Sequence, residues 1–231
     1  MIISHNIPFF TKLDSAQLNE VVIRWAKVTV SDGEKEEILT GAKDSRYFPP
    51  YSYRALEMRG EAGKTYHLKL EYGGEVMTAI TSIPRHQASI DSIWFISKEE
   101  GEKQQLSLKF TDRNEEGDYY RVYTRTPADK IFYPTLLNSQ SDKFFNGKQI
   151  GFVVNRGPKN NLSVKNEPYF NFGDTVYVKL SAMPKEGFDY WSSFTDEVLN
   201  AGNPLIGSSG TIKSNIEGPA VGIWCGYHSS I

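Results

Sequence analysis

TYHLKLEYGGEVMTAITSIP, Thr65 to Pro84, places an apolar residue at every second position of its first arm. Tyr66, Leu68, Leu70 and Tyr72 share one face, and His67, Lys69 and Glu71 share the other. Successive side chains of a strand point to opposite sides, so this is a half-buried strand with one wet face. Gly73-Gly74 can adopt the positive φ angles of a tight turn, and the second arm returns as a partner strand. Half-buried antiparallel ribbons of this kind belong to β-sandwiches.

The same period runs outward in both directions. In VVIRWAKVTVSDG (Val21 to Gly33), Ile23, Trp25, Lys27 and Thr29 alternate with Arg24, Ala26, Val28 and Val30. Asp32-Gly33 signals a hairpin, with EKEEIL as its return strand. Pro84 and the polar residues after it interrupt the pattern, which puts a domain boundary near residue 88. Beyond it, SIWFIS opens a new strand, and QQLSLKFTD and DYYRVYTRT read as a second ribbon around RNEEG. KQIGFVV and DTVYVKLSAM are further strands, and VGIWCGY is the expected last one. KEGFDYWSSFTDEVLNAG differs, because Phe188, Trp191, Phe194, Thr195, Val198 and Leu199 recur at three- and four-residue spacing, the stripe of a helix. Gly202 and Pro204 would end it. The predicted fold is all-β with two β-sandwich-like domains. Residues 1–88 form an immunoglobulin- or transthyretin-like sandwich. Residues 89–231 form a larger sandwich or open barrel carrying one α-helix near 187–200.

Composition supports this and narrows function. The 231 residues suffice for a core without staples, and thirteen Tyr with thirteen Phe suit sheet faces. A net charge of −2 supplies no basic field for nucleic acid and no polybasic membrane patch. Cys225 is the single cysteine, so no intrachain disulfide forms. It lies in an apolar strand pattern and reads as an inert buried thiol. His5, His67, His86 and His228 are scattered, so no Cys/His zinc site is expected, and no cofactor is predicted. No apolar run reaches transmembrane length, and the opening MIISHN lacks the basic and apolar regions of a signal peptide.

Phosphate-binding glycine motifs, the serine-hydrolase elbow and the metalloprotease helix motif are absent. DRNEEGD, Asp112 to Asp118, imitates the start of a calcium loop through Asp112, Asn114, Glu116 and Gly117, with Asp112, Asn114 and Asp118 the candidate ligands, but Tyr123 stands where the bidentate acid belongs. The competing reading is a polar hairpin turn. SRYFPPYSYR, residues 45–54, offers the other candidate. Its Tyr47, Phe48, Tyr51 and Tyr53 surround two prolines that forbid a central strand. These rings either form an exposed lip for sugar, peptide or protein, or cap the end of the core.

GKTYHLKLEYGGEVMTAITSIP followed by IDSIWF, then DYYRVY, FFNGKQIGF, FGDTVYVKL, FDYWSS and SNIEGPAVGIWCGY, resemble in order the signatures of one family. It is the domain-of-unknown-function family 4249 of Bacteroidota outer-membrane lipoproteins, and the likeness covers nearly the whole chain. The resemblance implies an exported protein, lipidated on an N-terminal cysteine and encoded beside TonB-dependent receptors. It implies no activity and no catalytic residue; Tyr120, Gly147, Gly173, Asp174, Asn215, Gly218 and Gly222 read as turn and core positions. Family members carry a signal peptide, a lipid-accepting cysteine and a first strand ahead of the segment like IISHNIPFF. Met1 is therefore expected to stand inside the natural protein, with the full-length form at the outer membrane or cell surface and attached only through a lipid anchor absent from this chain. An exposed strand edge, and with it edge-to-edge self-association, is a further expectation.

The function expected on these grounds is a non-enzymatic envelope module, accessory to a TonB-dependent transporter and binding its receptor or its nutrient. The alternatives are a structural or adhesive module without a small ligand, and a hydrolase with an unrecognised site.

Overall fold

The computed structural model describes residues 1–6, 17, 20–47, 50–97, 103–157, 168–200 and 211–231. Strands β1 (Lys27–Ser31) and β2 (Glu36–Ile38) form the first hairpin, with Gly33 at φ 88° in its turn. β3 (Thr40–Lys43) and β4 (Tyr51–Arg54) form a separate two-stranded ribbon. β5 (Thr65–Tyr72) and β6 (Glu75–Ser82) are the long hairpin, closed at Tyr72 opposite Glu75. The sheet order is β2-β1-β5-β6, all antiparallel. Its inner face carries Val28, Val30, Tyr66, Leu68, Leu70, Met77 and Ala79, and with Leu39 and Tyr53 these make the first core. The period-two reading of Thr65–Tyr72 holds, and its other face is wet.

The second half is a sandwich of two sheets. One is built on β8 (Lys103–Thr111). β7 (Ile90–Ser97) pairs along one edge of β8. β11 (Gln149–Val154) and β12 (Phe170–Asn171) pair in succession along the other. The second sheet has the order β10-β9-β13-β14, from β9 (Tyr119–Arg125), β10 (Tyr133–Ser141), β13 (Tyr177–Met183) and β14 (His228–Ser230). Leu106, Leu108 and Phe110 of the first meet Tyr120, Val122, Val178, Leu180 and Ala182 of the second in a sealed core. Helix α1 (Lys185–Asn200) contacts β10 and β9, with Phe188 tilted against Tyr119. Among the described residues, no helix is long and apolar enough to cross a membrane.

Several expectations change. β8 and β9 do not pair with each other; residues 112–118 carry the chain from one sheet to the other. Alternation shows that a segment is a strand, but its partner is chosen by packing. VGIWCGY is not a strand; the last strand is His228–Ser230. Residues 215–226 instead cross back to the first sheet. There Glu217 exchanges backbone hydrogen bonds with Thr78, and Gly226 N donates to Thr81 Oγ1 at 2.8 Å. Ile216, Ala220 and Trp224 pack on the first core. β1 begins later than its pattern implied, and Trp25 stands 90% exposed. Tyr51 and Tyr53 lie in a strand after all: β4 pairs with β3 along one edge and, along the other, Tyr53 exchanges hydrogen bonds with Met1, so Pro50 sits just outside the paired stretch.

Candidate binding site

β9 sends Tyr120, Val122 and Thr124 into the core, so Tyr119, Arg121, Tyr123 and Arg125 point to the opposite face. β13 does the same with Val178 and Leu180 inward and Tyr177 and Lys179 outward. The register sets Tyr123 opposite Lys179 and Arg125 opposite Tyr177, so cations and rings alternate both along and across the strands. Arg121 Cζ lies 3.6 Å from the centroid of the Trp191 ring of α1 and 5.7 Å from that of Tyr123. Lys179 Nζ lies 4.2 Å from the Tyr123 centroid and 5.2 Å from that of Phe132. Arg125 sits 4.6 Å from Tyr177 and 5.2 Å from Phe132. Tyr227 closes one side, edge-on to Tyr123 and accepting a 2.8 Å hydrogen bond from Trp191 Nε1.

The electrostatics of this face are one-sided. Arg121 is only 7% exposed, and its Nε and Nη1 are sealed without a hydrogen-bond acceptor. Arg125 Nε is likewise sealed and unbonded. Among the described residues no carboxylate pairs with Arg121, Arg125 or Lys179. The chain treats other arginines differently: Arg46 grips Asp44 through two nitrogens, and Arg113 grips Asp118 in the same way. Burial holds the Lys179 ammonium and the Arg121 guanidinium below their ordinary pKa values. It pushes the Tyr123 and Tyr227 hydroxyls up, so those rings stay neutral. Ring faces attract the cations, but a buried charge without a counter-charge carries a desolvation cost that rings offset only in part. The sequence signal for this face is the alternation of Tyr and Arg in YYRVYTR, a pattern that also reads simply as a strand.

The acidic stretch behaves otherwise. Asp112 and Asp118 come together with Asp142, which no local motif announced, and one carboxylate oxygen of each lies within 4.8 Å of the others. Asn114 stays beside them, near Gly147, as turn scaffolding. Asp142 Oδ2 accepts from Gly117 N at 2.7 Å and Asp118 N at 2.9 Å. Asp118 is held by Arg113, with His86 Nε2 3.4 Å away but not aligned as a hydrogen bond. Asp112 accepts from the Tyr120 hydroxyl and from Gly147 N at 3.1 Å. Burial raises the Asp112 pKa and lowers that of His86. Donors from the chain itself occupy these oxygens, so the cluster works as a clamp that turns the chain between two sheets.

The aromatic stretch 45–54 divides. Tyr53 is 3% exposed; its hydroxyl donates to Ile23 O at 3.1 Å and accepts from Ala26 N at 3.0 Å. Tyr51 packs edge-on against it and donates to Arg24 O at 3.2 Å. Tyr47 is exposed beside Arg46, and Phe48 lies outside the described residues. Trp25, which the sequence reading did not single out as a contact residue, projects from the segment that Tyr51 and Tyr53 hold. Burial pushes the Cys225 thiol up to about 12, the state of an unreactive side chain.

A family model described as "Domain of unknown function (DUF4249)" matches residues 1–230. No curated protein and no solved structure matches the chain.

Proposed function

The chain belongs to the domain-of-unknown-function family DUF4249, and from that premise we propose a non-enzymatic binding module of the cell envelope. In its full-length form it is a surface lipoprotein accessory to a TonB-dependent transporter, holding that transporter's nutrient or docking on the receptor. The family resemblance supports the setting. One observation carries the binding role: Arg121, Arg125 and Lys179 stand among the rings of Trp191, Tyr123, Phe132 and Tyr177 on one sheet face, and among the described residues none of the three forms an ion pair with an acid. That is recognition chemistry, in which flat rings supply contact area and cations supply orientation. Cys225, beside Tyr227 and Arg121, is held protonated, and the three aspartates clustered at the 112–118 turn are occupied by internal donors.

Crosslinking in intact cells of the natural host, using the tagged full-length protein, tests the setting. A TonB-dependent receptor in the outer-membrane fraction is the expected partner. Recovery with the cytosol, crosslinked to no envelope protein, sinks the assignment.

A further inference from the structure

We propose that the Arg121 face takes an organic carboxylate whose body is a flat ring, an inference that rests on the binding reading above. Three features of the face select this chemistry.

The first is that, among the described residues, no counter-charge is paired with Arg121. Arg46 and Arg113 each have an aspartate, whereas Arg121, the more deeply buried, has a tryptophan on its face and no acceptor for Nε or Nη1. Arginine grips a planar oxygen pair through Nε and Nη2, as Arg46 and Arg113 do here, and the unused Nε of Arg121 offers one arm of that fork, while its Nη1, on the opposite edge, offers a single further donor. The second is enclosure. The cost of stripping water from an ion rises steeply with its charge, so a site this dry favours a singly charged carboxylate over a phosphate dianion. The third is the surround. Tyr123 on β9 and Tyr177 on β13 lie beyond Arg121, with Phe132 just before β10, and they already serve as faces for Lys179 and Arg125. A ring attached to the carboxylate would lie on this platform between the two remaining cations.

Entry follows from the same geometry. The Trp191–Tyr227 hydrogen bond joins α1 to the closing segment beside Arg121. A ligand reaching Nε or Nη1 parts that bond and takes its place.

Calorimetric titration of the whole chain tests this with benzoate, its neutral isostere benzamide, and inorganic phosphate. Benzoate should bind, benzamide should not, and R121M should weaken benzoate at least tenfold. Methionine fills much of the same volume without charge, so R121M should resist urea as well as the unaltered chain or better when no ligand is present. Phosphate binding in place of benzoate overturns the carboxylate class but leaves the binding module standing. Equal benzoate affinity in R121M, or no binding of any probe, overturns the site, and a destabilised R121M beside it makes Arg121 structural. Failure of the module itself would show instead in the crosslinking, whatever these titrations give.

Discussion

At the scale of single residues, the polar interior is where stability is most exposed to change. Tyr120 is 2% exposed, and its hydroxyl is the donor that holds buried Asp112. Tyr120→Phe leaves that carboxylate short of a partner, and urea titration should show a loss of about 1–3 kcal/mol. Acid should act through a different set. Asp32, Glu37, Asp44 and Glu71 all have folded pKa values below their ordinary ones. Backbone N–H groups of Lys35 and Met58 lead for the first two, and the Arg46 and Lys27 side chains lead for the others. A depressed carboxyl contributes stability above its unfolded pKa and loses it as pH falls through the folded value. His86 acts in the same direction, since its lowered pKa makes protonation costly to the fold below about pH 6.5. Among the described carboxyls, Asp112, with its raised pKa, is the one relieved by acid. The melting midpoint should therefore decline from pH 6 to pH 3, steepest below about pH 4. A midpoint that rises over that interval contradicts the assignment.

At the scale of elements, edges and crossings set the behaviour. β7 pairs with β8 and, among the described residues, with nothing on its outer side. Ile93, Trp94, Phe95 and Ile96 are each 36–43% exposed along it. Hydrogen exchange should accordingly be fast at the outward amides of Ile90–Ser97 and slow throughout Lys103–Thr111, which is paired on both edges. Equal protection of the two strands would mean that something covers β7. The closing segment depends on one backbone position. Gly218 has φ 107°, and a Cβ there would meet Val76 O at 2.8 Å. Gly218→Ala should cost about 1–2 kcal/mol or more from the positive φ and the overlap together, read as a lowered urea midpoint. The turn at Gly73-Gly74 has nothing within 4 Å of either Cβ, so there only the positive φ matters.

At the scale of the molecule, the return of the chain links its two cores. Asn215 Nδ2 donates to Ile80 O and Trp224 O, Ser230 Oγ donates to Ala88 O, and His228 Nδ1 lies 3.0 Å from Pro84 O. Removing residues 211–231 takes away β14 and this linkage, so one cooperative unfolding transition should become two or be lost; a truncated chain that melts as before would show the linkage to be idle. Sequence by itself determined the strand class, the wet and dry faces of Thr65–Tyr72, the tight turns and the helix at Lys185–Asn200. Those follow from side-chain period and from glycine's permitted angles, which act over a few residues. It did not determine that β8 and β9 belong to different sheets, that 215–226 lies on the first one, or that Asp142 joins Asp112 and Asp118. The cation–ring face belongs with these, since Tyr123 meets Lys179, and Arg121 meets Trp191, only through strand register and helix docking. Pairing partners are chosen by packing between segments far apart in the chain, and a local pattern compatible with several partners carries no record of which one won.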